Sequence, residues 1–325
     1  MSTTSTASAG GAEGAARRGG SAQQDRAAPP ERAPRPRRPV RWQPAWLFMA
    51  PSLLIIAVFI AYPIVESFRY SLHDWKVGAD SQEWLGFGNY TELFGDERFW
   101  NALRVTSIFA VVSVVLQLLL GYAAAAALQR DGWFNRVVRS AFFFPTVVAL
   151  AVIGLVWRFL LDPQIGLVSG LIERFGGDPV GWLQDPALAL PTVIFVSVWK
   201  NAGFTMIILL AGLKGVPGQL YEAARLDGAT GWQLTRHVTL PSIRPTLLFA
   251  TMILTINSLQ VFDLVYVMTN GGPLFATDTL VTMMFREGFE NFRLGYASAI
   301  AWVLFVLILL LSALQLKLFR YRDVD

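Results

Sequence analysis

Six apolar runs, each near the roughly twenty residues needed to cross a hydrocarbon core, leave this chain few folds to choose from. They lie at about Ala45 to Val65, Leu103 to Leu128, Ser140 to Leu161, Leu188 to Leu213, Thr246 to Met268 and Tyr296 to Lys317. Lipid offers no water to satisfy free backbone groups, so runs of this length predict helices. With 54% of its 325 residues hydrophobic and only 15% charged, the chain reads as an all-α polytopic membrane protein. It has no cysteine and two histidines, His73 and His237, which removes thiolate chemistry and His/Cys zinc clusters. Neither G-x-x-x-x-G-K-[ST] nor H-E-x-x-H occurs, so no nucleotide, metal or other cofactor is expected on this chain, and no catalytic residue.

Charge decides the orientation. The tail, Gln129 to Arg139, Lys214 to Pro245 and the end from Lys317 together carry 18 Lys+Arg against 8 Asp+Glu. The opposite segments and their flanks carry 8 against 14, and Lys200 and Asp263 fall deeper inside spans. Positive charge stays on the cytoplasmic side, which places both termini and the Lys214 to Pro245 segment there. Residues 1–44 are Ala, Gly, Ser, Pro and Arg with almost nothing to bury, and are read as a disordered basic cytoplasmic tail ahead of a 45–325 transmembrane domain. Next to a span, its run RAPRPRRPVR is a topology signal and a contact for anionic lipid rather than for nucleic acid.

The Lys214 to Pro245 segment is a polar island with the grammar of two short helices. Pro217-Gly218 breaks the preceding span, and Gln219 to Leu226 can form a helix with Tyr221, Glu222, Ala223 and Ala224 upon it. Asp227-Gly228 supplies a turn, since glycine accepts positive φ. Thr230 with Gln233 three residues on predicts a capping box opening a second helix, which Leu240-Pro241 should end. An alanine-faced helix pair on a tight loop needs a partner surface to dock on.

Glu222-Ala223-Ala224, Asp227-Gly228-Ala229 and the later Leu240-Pro241 resemble the EAA loop of the permease subunits of binding-protein-dependent ABC importers. Other stretches are similar to the sugar-permease branch of that family. They are Trp84-Leu85-Gly86-Phe87-Gly88-Asn89-Tyr90, Phe144-Pro145-Thr146, Leu155-Val156-Trp157-Arg158-Phe159-Leu160 and Phe262-Asp263-Leu264-Val265-Tyr266-Val267-Met268-Thr269-Asn270-Gly271-Gly272-Pro273. The resemblance covers nearly everything from Trp46 to Phe319 and implies a type I importer permease fold of six transmembrane helices in the cell membrane. It implies four partners: a second permease, two ATPase subunits holding ATP and Mg, and an extracytoplasmic solute-binding protein. The EAA loop then becomes the coupling helix seated in the ATPase. The family's sugar-contacting asparagine on the fifth span has Ser258 as its nearest match, a departure that leaves the ligand open.

Polar groups inside spans are costly and mark pathways or buried pairs. Gln117 lies mid-way along the second span, Lys200 and Asn201 in the fourth, and Asn257, Ser258, Gln260 and Asp263 in the fifth. Trp199, Phe204, Phe262 and Trp302 could supply flat faces for a sugar ring. Lys200 and Asp263 sit at different depths in their spans and are not expected to oppose each other directly. Import of a neutral mono- or oligosaccharide is expected, with glycerol phosphate the alternative and an ion-coupled secondary transporter, which would show inverted repeats, behind it. The aromatics after the first span, Trp84, Phe87, Tyr90, Phe94, Phe99 and Trp100, read as an interfacial belt.

Overall fold

A computed structural model describes residues 43–76, 78 and 83–320. The tail expectation for residues 1–42 lies outside the described residues. The chain divides into a unit ending at Leu53, of which the described part is the start of one helix, and a second unit from Leu54 onward. Helices dominate. α1 (Gln43–Ile56) passes through a π turn (Ala57–Ala61) into α2 (Tyr62–Ser71), and a two-residue hairpin pairs His73–Asp74 with Glu83–Trp84. α3 (Gly88–Gly95) and α4 (Glu97–Ala127) follow, then α5 (Trp133–Val147), α6 (Leu150–Leu160), α7 (Leu167–Arg174) and α8 (Pro186–Lys214). α9 (Gly218–Leu226), α10 (Gly231–Leu234), a π turn (Thr235–Thr239) and α11 (Leu240–Ser242) form the polar island. The chain then runs through α12 (Arg244–Leu259), α13 (Asp263–Met268), α14 (Leu280–Phe285), a π turn (Arg286–Glu290) and α15 (Leu294–Arg320).

Among the described residues four helices are long and apolar enough to cross a membrane: Phe48–Ser71, Glu97–Ala127, Pro186–Lys214 and Leu294–Phe319. Two more crossings are made only if bent pairs count, α5 with α6 at 98° and Gly231–Ser242 with α12 at 73°. All six expected runs are helical, but the third (Ser140 to Leu161) and the fifth (Thr246 to Met268) are each interrupted. In the third, Pro145 removes a helical donor near the end of α5, and Val148 and Ala149 are extended before α6 begins. Thr146 ties that end down, its hydroxyl donating to the Lys200 carbonyl at 3.0 Å. In the fifth, the helix stops at Leu259 and resumes at Asp263. The intervening Val261 carbonyl is not left bare, because the buried Thr279 hydroxyl donates to it at 3.2 Å.

Packing explains which helices stay straight. α8 is the most enclosed of the long helices, buried on both flanks by α4 and α5. Small residues permit this: a Cβ on Gly121 would stand 2.6 Å from Thr205 Cγ2, and one on Gly203 only 2.0 Å from the Phe142 carbonyl oxygen. α6 pairs instead with α13, where Gly154 admits Val267 and the Arg158 guanidinium donates to the Val267 carbonyl. Asn89 and Tyr90 act as a clasp for the end of α2. The Asn89 amide donates to the carbonyls of Ser71 and His73, and the Tyr90 and Ser71 hydroxyls bond at 2.8 Å. Phe99 is 1% exposed inside the core formed by α4, α14 and α15, which corrects its assignment to the interfacial belt.

Candidate functional site

The two breaks converge on one cavity of about 300 Å³. α8 contributes Ser197, Lys200, Asn201 and Phe204, four positions on one helical face. The end of α12 contributes Leu254, Asn257 and Ser258, and the unwound stretch and start of α13 contribute Gln260, Val261, Phe262, Asp263 and Leu264. Phe109 and Gln117 come from α4, and Leu150 from the broken third span. Unwound backbone at membrane depth is tolerated where it lines such a space, and it lets consecutive residues face inward as a helix could not.

The polar groups grade from mouth to floor. Asn257, Gln260 and Asp263 are exposed, whereas Ser258, Lys200 and Gln117 are buried. None of these six side chains makes a hydrogen bond or ion pair with another described residue, although polar groups at such depth ordinarily find partners. Asn201 is different, since its amide donates to the Ser197 carbonyl of its own helix at 3.0 Å. Lys200 and Asp263 share the cavity without forming an ion pair, in keeping with the depths expected from their spans. Trp199 does not join the group: its ring turns away and packs edge-on against Trp157, centroids 5.5 Å apart. Trp302 likewise packs on Phe68 and Phe305. Gln117, which stands out in the sequence as an amide within an apolar run, joins the same lining. Phe109, Leu150 and Leu254 carry no signal that separates them from core residues.

The second feature is the polar island. α9 ends in a Schellman motif, with the Ala229 amide donating to Ala224 and the Gly228 amide to Arg225, both at 3.0 Å, and Gly228 at φ +81°. Thr230 and Gln233 form the expected capping box. The second helix does not end at Leu240-Pro241. A π turn carries it on to Ser242, where the hydroxyl donates to the Val238 carbonyl, and the chain bends at Ile243. A π turn already relaxes the donor pattern, so proline's missing N–H is accommodated there. The Tyr221 hydroxyl bonds Thr239 at 3.1 Å and clamps the two helices together. Glu222, Ala223, Asp227 and Gly228 are exposed with Leu226 and Trp232, while Ala224 is half-buried. At the root, Lys214 donates to Asp131 at 2.7 Å and holds that carboxyl below the usual carboxylate range.

Removing the cap should loosen this island locally. Thr230→Ala is expected to cost about 1 kcal/mol of local stability, read as faster hydrogen exchange at the amides of residues 231–234 than in α9. Unchanged exchange would show that α10 is held by packing alone.

Membrane-length helices around a polar cavity are the frame of a membrane transport protein. The chain belongs to the family described as the binding-protein-dependent transport system inner membrane component, whose model matches residues 117–321. It is accordingly a multi-pass inner-membrane protein and an ABC transporter permease. It is 35% identical to the probable ABC transporter permease protein YurN of Bacillus subtilis, over 85% of this chain and 95% of that one. To the trehalose/maltose transport system permease protein MalF of Thermococcus litoralis it is 33% identical, over 85% of this chain and 94% of the relative. In fold it is similar to a chain from the crystal structure of a bacterial ABC transporter involved in import of the acidic polysaccharide alginate. The TM-score there is 0.75 at 26% identity, covering 86% of this chain and 97% of that one.

Proposed function

We propose that this chain is a transmembrane permease subunit of an ATP-driven importer that carries a mono- or oligosaccharide from an extracytoplasmic binding protein into the cytoplasm. The observation that carries the reading is the set of six polar side chains lining one cavity without partners of their own, beside the rings of Phe109, Phe204 and Phe262. A saccharide has hydroxyl edges and apolar faces, which such a lining would satisfy together. The naming of relatives such as the trehalose/maltose permease supports the same class. A glycerol phosphate would need a cluster of cations, and the lining offers one, Lys200, together with a carboxylate, Asp263.

The energy enters elsewhere. Both termini and the island lie in the cytoplasm by the charge bias, where two ATPase subunits holding ATP and Mg dock on Glu222, Ala223 and the exposed Leu226 and Trp232. A second permease completes the pathway, and hydrolysis alternates access to the cavity. In reconstituted vesicles with the binding protein, Asn257→Ala and Gln260→Ala are each expected to lower saccharide uptake about five- to hundredfold, from about 1–3 kcal/mol per lost hydrogen bond. Uptake equal to wild type in both would place the pathway away from this cavity.

A further inference from the structure

Gln117 differs from the other polar groups of the cavity in one respect. It is 1% exposed, and its Oε1 is a buried acceptor with no partner. Its place is set by packing. One turn further along α4, Gly121 lies so close to Thr205 of α8 that a Cβ would not fit, and Gln117 lines the cavity from this closely packed helix. A buried carbonyl oxygen needs a donor. On α8 the Thr205 hydroxyl donates to the Asn201 carbonyl and the Asn201 amide to the Ser197 carbonyl, and among the described residues no donor, Lys200 and Ser258 included, bonds Oε1.

We propose that Gln117 reads the substrate, its Oε1 accepting a hydrogen bond from one hydroxyl of the transported molecule at the floor of the cavity. This rests on the saccharide-import reading and narrows it. The group placed at Gln117 is an O–H donor; a phosphate or carboxylate brings only acceptors and would leave Oε1 without a donor. Within one substrate, Gln117 therefore distinguishes a single hydroxyl from the rest.

The test pairs changes in protein and ligand. The full importer, reconstituted with its binding protein, is assayed for uptake of maltose, trehalose and lactose, and then of the monodeoxy analogues of whichever is carried best. In wild type one analogue is expected to lose uptake about tenfold or more, because its absence of a hydroxyl leaves Oε1 unpaired. In Gln117→Met, which keeps the side-chain volume, that same analogue is expected to be carried as well as its parent. Gln117→Glu keeps an acceptor at this position and should retain the penalty, so it carries the test if the methionine variant assembles poorly. Equal penalties across all analogues in wild type and Gln117→Met would overturn the assignment and make Gln117 a packing residue or a partner for Lys200. Uptake of glycerol phosphate with none of the three sugars carried by the wild-type importer would instead sink the saccharide reading, and this inference with it.

Discussion

Gly203→Val is expected to abolish recovery of folded, assembled protein. α8 meets α5 backbone to backbone at this glycine: a Cβ would stand 2.0 Å from the Phe142 oxygen, 2.6 Å from its carbonyl carbon and 2.8 Å from Phe143 Cα. Side chains can rotate away from such a clash, but main-chain atoms of a packed helix move only if the helix moves. Overpacking typically costs about 1–3 kcal/mol where side chains adjust, and here the adjustment must separate two helices, so a larger loss is expected. Separation would also break the Thr146 to Lys200 hydrogen bond, which pins the end of α5 beside the cavity. The measurement is a monodisperse peak and thermal midpoint in detergent. A Gly203→Val variant with the wild-type midpoint would mean that α5 does not sit on α8 as described.

The second large effect concerns coupling. Gly228 holds φ +81° at the end of α9, and a β-branched residue there costs about 1–3 kcal/mol of backbone strain. The Schellman bonds at Ala229 and Gly228 would be lost together, turning α9 relative to α10 while Tyr221 still holds Thr239. Gly228→Val should therefore remove the stimulation of ATPase activity by loaded binding protein. Glu222 is exposed on α9 and makes no side-chain bond to another described residue, so Glu222→Lys reverses a surface charge there. That variant is expected to assemble weakly and to hydrolyse ATP without responding to loaded binding protein, if a basic residue of the ATPase faces it. Ala224 is half-buried, so Ala224→Trp should disrupt the island itself as well as its docking. Normal stimulation in both Gly228→Val and Glu222→Lys would reduce the island to a connector.

The cavity variants and the capping variant probe smaller energies and separate local from global failure. Loss at Asn257 or Gln260 with an intact thermal midpoint would locate transport in the cavity. Loss at Gly203 would come with the fold.

Local physics made much of this protein legible in its residues. Long apolar runs could become only membrane helices, because the backbone must satisfy itself in lipid. The Gly228 turn, the Thr230 capping box and the grouping of Lys200 with Phe204 follow from contacts within a few residues, which a sequence displays directly. The interruptions at Val148-Ala149 and Gln260-Phe262 were not read from the sequence: Pro145 precedes the first and polar residues flank the second, but both lie inside runs long enough for one membrane helix. What sustains them is distant in the chain: Thr279 supplies the donor for Val261, and Lys200 the acceptor for Thr146. The same holds for Trp199 and Gln117. Neighbouring positions say that one is aromatic and the other polar, but only the packing of α4 and α8 at Gly121 and of Trp199 on Trp157 turned the amide toward the cavity and the indole away from it.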